Sequence, residues 1–257
     1  MTGLDEPYRE RALPSGSSRH LAWLFAPPAA RAPLLGIFAL LAEWRATLHT
    51  DLAPEIAATK LAWWRDEVHR LRQARPAHPI GRYLLASVTA TPNDWDPLER
   101  AVEAALQLIG DTAFTTPADL EDHADALIGG PLRVAAMLGV AARERSAAHA
   151  RALEPCTRAI AVGQFLAQSA ADAAGDPDRA EALRAEARRR YVDAAAALPP
   201  ELRARHRGLL VLAVLEAHHS SPRRLAAAAP TRLSDLFLAW RTARRAARAD
   251  PRNPEIP

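Results

Sequence analysis

The sequence predicts an all-α fold, a single-domain helical bundle around a central cavity, and three observations carry that prediction. Helix formers dominate the 257 residues: 59 are alanine, and 32 are arginine against one lysine, Lys60. Period-two alternation of β-branched and polar residues is nearly absent. Prolines stand directly after N-capping residues, as at Asp96-Pro97 and Thr116-Pro117, where a helix tolerates them. Bundles of this kind place ligand sites between facing helices, hence the expected cavity.

Taken in order, the most apolar stretch is Leu21 to Ala42. It approaches the ~20 apolar residues of a bilayer span, but Pro27-Pro28 and Arg31 interrupt it and predict two helices, 18–26 and 29–48. Helices follow at 55–73 and 80–91, then at 97–110 behind the Asp96 cap. Thr116-Pro117-Ala118-Asp119 reads as a capping box opening 117–139, and Gly129-Gly130-Pro131 should kink that helix. Ala- and Arg-rich helices at 145–173, 178–197, 201–219 and 231–248 complete the bundle. Residues 1–16 and 250–257 are polar and proline-bearing and are expected to be disordered. No Ser/Gly-rich linker and no fixed-period repeat divides 17–249, which is read as one domain.

Composition narrows the function. The net charge of +3 balances 33 basic against 30 acidic residues, without the concentrated positive charge of a nucleic-acid binder. Cys156 stands alone, which excludes an intramolecular disulfide framework or a cysteine-cluster metal site and suits a reducing compartment. The first twenty residues carry acids and no basic run before an apolar core, so a cytoplasmic location is expected, with peripheral membrane contact left open. A Gly-rich phosphate loop, a Gly-x-Ser-x-Gly elbow and a His-Glu-x-x-His motif are all missing.

Four segments together resemble the squalene/phytoene synthase family, the all-α isoprenoid-synthase-like enzymes that join two prenyl diphosphates head to head. SSRHLAWLFAPPAARAPLLGIFALLAEW is similar to the family's opening helix pair, with Ser18, Ala22 and Pro27 at matching positions. KLAWWRDEV, Lys60 to Val68, is followed by HPIGRYLL, His78 to Leu85. TTPADLEDHADALIGGPLRVAAMLG resembles the helix entering the cavity, and AQSAADAAGD, Ala167 to Asp176, stands at the second Asp-rich motif. The resemblance runs from about residue 17 to 245.

What the resemblance implies is a Mg²⁺-dependent ionisation of an allylic diphosphate, with metal held by carboxylates on opposing helices and the cation shielded in an apolar tunnel. Asp172 and Asp176 match the outer aspartates of the second motif, and their i,i+4 spacing would put them on one helical face. They are the candidate catalytic and Mg²⁺-binding residues. Ser18, Arg45, His49, His123 and Gln168 match positions that imply substrate contact. Arg45 and His49, however, stand where the first motif has metal-binding aspartates, and Glu43 and Asp51 flank that face at the wrong spacing. His123 replaces the cavity tyrosine, Gln168 an asparagine, Ala171 an arginine and Gly175 a glutamate. The AEW…KLAWWRDEV pattern is similar to a divergent branch that includes a mitochondrial complex I assembly factor lacking the aspartates. Expected, therefore, is a non-catalytic or weakly active accessory protein that binds a prenyl diphosphate, another isoprenoid lipid or a protein partner. The alternatives are an active Mg²⁺-dependent prenyltransferase and a helical interaction module with a filled core.

Other features have plainer readings. Trp63 and Trp64 point about 100° apart, one towards core and one towards a groove. Arg65, Asp66 and Glu67 read as a solvated face. Glu121, Asp122, His123 and Asp125 form a weak metal cluster in which only Glu121 and Asp125 share a face. His218-His219 read as partners of a helix C-terminal dipole. The runs Arg188–Arg190 and Arg241/Arg244/Arg245/Arg248 read as exposed faces, the second able to meet acidic lipid headgroups. Cys156 reads as buried filler.

Overall fold

Proline placement organises the chain. A computed structural model describes residues 3–48, 52–110, 114–173, 175–220 and 233–248. Pro7, Pro54, Pro79, Pro97, Pro117, Pro131, Pro177 and Pro200 occupy first-turn positions of their helices, where a missing N–H costs nothing. The helices are α1 (Glu6–Ala12), α2 (Ser18–Phe25), α3 (Pro28–Leu48), α4 (Pro54–Arg72), α5 (Pro79–Ser87), α6 (Asp96–Ile109) and α7 (Pro117–Ala124). They continue with α8 (Gly130–Leu138), α9 (Ala147–Asp172), α10 (Pro177–Ala197), α11 (Pro200–Arg203), α12 (Arg207–His219) and α13 (Leu233–Arg248). No strand occurs among the described residues, and no described helix is long and apolar enough to cross a membrane.

The region 17–249, read from sequence as one domain, divides by internal packing into two units. One comprises residues 1–15 and 28–146, the other 16–27 and 147–257. The first unit packs around large side chains: Phe38 and Trp44 of α3, Leu61 of α4, Leu84 of α5, and Trp95 and Leu98 at the start of α6 are all essentially inaccessible. The second packs helices closely through small residues. Ala161, Ala170, Ala180, Ala187 and Ala194 are buried along α9 and α10, and α2 and α13 pack on α12. Gly163 makes the α9–α10 approach feasible, since a Cβ there would stand 2.7 Å from the Tyr191 ring.

Three departures from the sequence reading have physical causes. The segment 1–16, expected to be disordered, contains α1, because Leu4, Ala12 and Leu13 are buried and Arg11 pairs with Glu43 of α3 at 2.9 Å. Its polar composition hides three apolar anchors. The single helix expected over 117–139 is two helices joined by a π-helical turn, Asp125–Gly129, in which the Gly130 N–H reaches back to the Asp125 carbonyl. Pro131 has no N–H for the next helical bond, so the widened turn takes the strain that a simple kink would leave. The helix expected over 201–219 breaks between α11 and α12, where His206 leaves helical geometry at φ −110° and ψ 27°. The tail 250–257, like His49 and Asp51, lies outside the described residues.

Candidate functional site

The chemistry-bearing residues singled out by sequence fall in both units, and each unit is described by itself. In the first, α7 brings His123 to the wall of a cleft of about 900 Å³ whose lining also includes Arg72, Asp96, Glu99 and Phe114. The Thr116–Asp119 capping box fixes where α7 begins. Thr116 Oγ1 accepts from the Asp119 N–H at 3.1 Å, and Asp119 Oδ2 accepts from the Thr116 N–H at 2.9 Å. A hydrogen bond from the Thr115 hydroxyl at 2.6 Å, followed by those from the Thr116 hydroxyl and amide, holds the Asp119 carboxyl below the usual carboxylate range. His123 is buried, and its ring meets Phe114 edge-on at 4.9 Å. Burial pushes its pKa below the ordinary histidine value, so the imidazole is neutral at pH 7.

The cleft lining is acid-rich, with Asp96, Glu99, Glu103, Asp119 and Asp122 against Arg72 and Arg100. Arg72 already bridges Asp96 at 3.1 Å and Glu99 at 2.6 Å. Such a surface does not by itself compensate a diphosphate. Of the weak metal cluster on α7, Asp125 is committed elsewhere: both its oxygens accept from Arg133 at 2.7 Å in a half-buried bidentate pair that spans the π-helical turn. Among the described residues no group of three or more His, Cys, Asp or Glu side chains could hold a metal ion.

Arg45 is exposed in the last turn of α3, and its companion at the first-motif position, His49, lies outside the described residues. The WW motif behaves as structure. Trp64 is buried and Trp63 is 42% exposed. Glu67, expected on a solvated face, is instead 2% exposed. It accepts from the His78 N–H at 2.7 Å, the Ala77 N–H at 3.2 Å and Arg70 Nε at 2.8 Å, pinning the chain just before α5. Gly81 is required beside it, because a Cβ there would lie 2.8 Å from Glu67 Oε1. His78 then caps α5, its Nδ1 accepting from the Ile80 N–H at 3.2 Å. That bond leaves the ring proton on Nε2, 3.3 Å from Tyr8 Oη of α1.

In the second unit the two candidate aspartates do not share a helical face. Asp172 is the last residue of α9 and accepts from Gln168 Nε2 at 3.0 Å. Asp176 is the N-cap of α10 and accepts from the Arg179 N–H at 3.1 Å. The i,i+4 reading fails because the helix stops between them; both carboxylates are exposed. Ser18, expected to touch substrate, is buried within this unit. Its Oγ lies 3.1 Å from His219 Nδ1, and His219 Nε2 lies 3.3 Å from Oδ2 of the fully buried Asp235. His218 Nε2 reaches the other Asp235 oxygen at 3.6 Å. The histidine pair read as a dipole partner thus ties α2, α12 and α13 together. Elsewhere in the unit, His149 and His206 bury their rings with the Nε2 atoms 2.8 Å apart. Burial, reinforced by the neighbouring His149, pushes His206 down to about 3. Burial likewise drives the Cys156 thiol up to about 12, which makes it inert filler rather than a nucleophile.

Of the cleft residues, Arg72 and Glu99 were not singled out from sequence, and Asp96, expected to cap its helix, is instead the first residue of α6, behind Trp95, and pairs with Arg72. Asp96, Glu99 and Glu103 recur at i, i+3 and i+7, which marks an acidic stripe on α6. No curated protein matches the chain. Residues 13–174, more than half of the sequence, match the family model described as Squalene/phytoene synthase, and the chain belongs to that family.

Proposed function

We propose that this protein is a squalene/phytoene-synthase-like accessory protein that binds an isoprenoid diphosphate or a lipid derived from one, without joining two of them. The observation that carries the reading is the use made of the second motif: Asp172 ends α9 and Asp176 caps α10. A magnesium cage needs several carboxylate oxygens converging from facing helices. Here one pair punctuates helix ends, and the first-motif positions hold Arg45 and His49. These residues do not fit the metal. Arg45 supplies positive charge directly to a phosphate, and His123, neutral in its cleft, supplies a single hydrogen bond and an aromatic wall with Phe114. The similarity to the aspartate-free branch of the family points the same way, and a protein partner is its natural extension.

A second reading, Mg²⁺-dependent head-to-head condensation, is favoured by one observation: Asp172 and Asp176 are exposed and available to a cation. One experiment separates the two. The purified chain is incubated with farnesyl or geranylgeranyl diphosphate and Mg²⁺, and a thiolo-diphosphate analogue is titrated calorimetrically with and without the metal. The accessory reading expects no coupled hydrocarbon and binding that is unchanged by Mg²⁺. Product formation, or binding that requires Mg²⁺ and is lost in D172A/D176A, establishes the enzyme. Absence of binding in either condition leaves the helical interaction module.

A further inference from the structure

The C-terminal helix α13 carries a surface that the ligand-binding reading does not use. Asp235, Ala239, Ala243, Ala246 and Ala247 form its buried stripe. Opposite and beside that stripe, four large apolar side chains face solvent: Leu233 at 84% exposure, Leu236 at 42%, Phe237 at 57% and Trp240 at 42%. At 100° per residue they fall in one sector roughly 100° wide, adjoining the buried stripe. Arg241, Arg244, Arg245 and Arg248 fill the next sector. The Arg241 guanidinium lies 6.0 Å from the Phe237 ring centre, and that of Arg244 lies 5.1 Å from the Trp240 ring. The helix's single acid, Asp235, is buried against His218 and His219, so the accessible part of α13 carries no negative charge.

We propose that α13 docks on the surface of an anionic phospholipid bilayer, with Leu233, Leu236, Phe237 and Trp240 seated at the headgroup–acyl boundary and the exposed Arg241, Arg245 and Arg248 on lipid phosphates. An apolar strip of aromatic and leucine residues with cations along one edge is the pattern of an interfacial helix. The Arg241 and Arg244 guanidiniums lie over the Phe237 and Trp240 rings, which sets cationic and aromatic groups side by side as at the headgroup level of a bilayer. Charge decides among occupants. A second copy of this chain would bring one arginine strip against its equal, a like-charge contact that disfavours a symmetric pair. A diffuse anionic surface meets the three exposed cations without requiring a matching set of carboxylates.

The test is co-sedimentation of the full chain with vesicles of phosphatidylcholine alone and of phosphatidylcholine mixed with phosphatidylglycerol, with circular dichroism as a check on folding. Binding is expected on the mixed vesicles only, weakening as salt rises. Phe237→Ser with Trp240→Ser should abolish it. Arg241→Glu with Arg245→Glu should lower the partition coefficient at least ~tenfold, since each surface cation contributes roughly fivefold. These side chains are exposed, so both variants should keep the wild-type helical spectrum. Equal binding to neutral vesicles, no binding to either, or binding indifferent to both variant pairs overturns the proposal. So does sedimentation equilibrium without lipid that reports a dimer dissolved by the same substitutions.

Discussion

The two units bury polarity differently. The first unit buries a carboxylate, Glu67, and surrounds it with the Ala77 and His78 amides and the Arg70 guanidinium. Its core is otherwise built of large rings, Trp44, Trp64, Trp95 and Phe38. The second unit is assembled from alanine and glycine faces, and it buries two imidazoles whose Nε2 atoms share one hydrogen bond. A shared N···N bond needs one donor and one acceptor, so the pair is stable only while at least one ring is neutral. Each unit buries a paired carboxylate, Glu67 in the first and Asp235 in the second, but only the second also buries an imidazole pair that must keep charge out, which predicts different ways to damage each.

The largest effect is expected at Glu67. Glu67→Ala strands the Ala77 and His78 amides and loosens Arg70, and loss of one partner of a buried charge costs about 3–5 kcal/mol. Urea denaturation should show it, and a loss below about 1 kcal/mol would mean that water replaces the carboxylate.

Acidification should act next, through the second unit. The folded value of His206, about 3, lies below its ordinary 6.5. Between those values the unfolded chain binds a proton that the folded chain refuses. Stability is therefore full above about pH 6.5 and declines as pH falls towards 3, by on the order of 4 kcal/mol at most. His78 and His123, also lowered by burial, add to the same direction. Thermal melts at pH 7 and pH 4 should differ less in a His149→Phe/His206→Leu variant than in the parent chain. An unchanged difference removes the pair from the account.

A smaller loss follows from crowding the α9–α10 contact. Gly163→Ala places a methyl 2.7 Å from Tyr191, and overpacking of this kind costs about 1–3 kcal/mol. Trimming the ring in Tyr191→Leu should make the glycine replacement less costly, which a double-mutant cycle would detect.

The smallest effect bears on function. Asp176→Ala removes the α10 N-cap and should cost about 1 kcal/mol, while Asp172→Ala should stay within about 0.5 kcal/mol. Both should leave binding of the diphosphate analogue unaltered.

Much of the helical framework was legible from residues alone. The starts of α4 to α7 and of α10 follow their prolines, because helix initiation depends on neighbours in sequence, although the cap of α6 falls at Trp95 and not at Asp96. The break before α12 was not legible, since His206 leaves the helix in favour of His149, 57 residues away in the chain. Glu67 looked like one of three solvated charges, and nothing local indicates that the His78 amide will reach it. The division into two units was equally hidden: the chain passes between them at 15–16, 27–28 and 146–147, so no linker composition marks a boundary.

The sequence by itself determined the helical class and the family, because these depend on residue type, order and spacing. Tertiary structure decided what the remaining candidates do. Asp172 and Asp176 have the spacing of a metal pair, yet the helix ends between them; Ser18 has the position of a substrate contact, yet it closes a buried chain to Asp235. Spacing implies a shared face only while a helix continues, and a polar residue meets ligand only where packing leaves it open. Both conditions are set by contacts far apart in the chain.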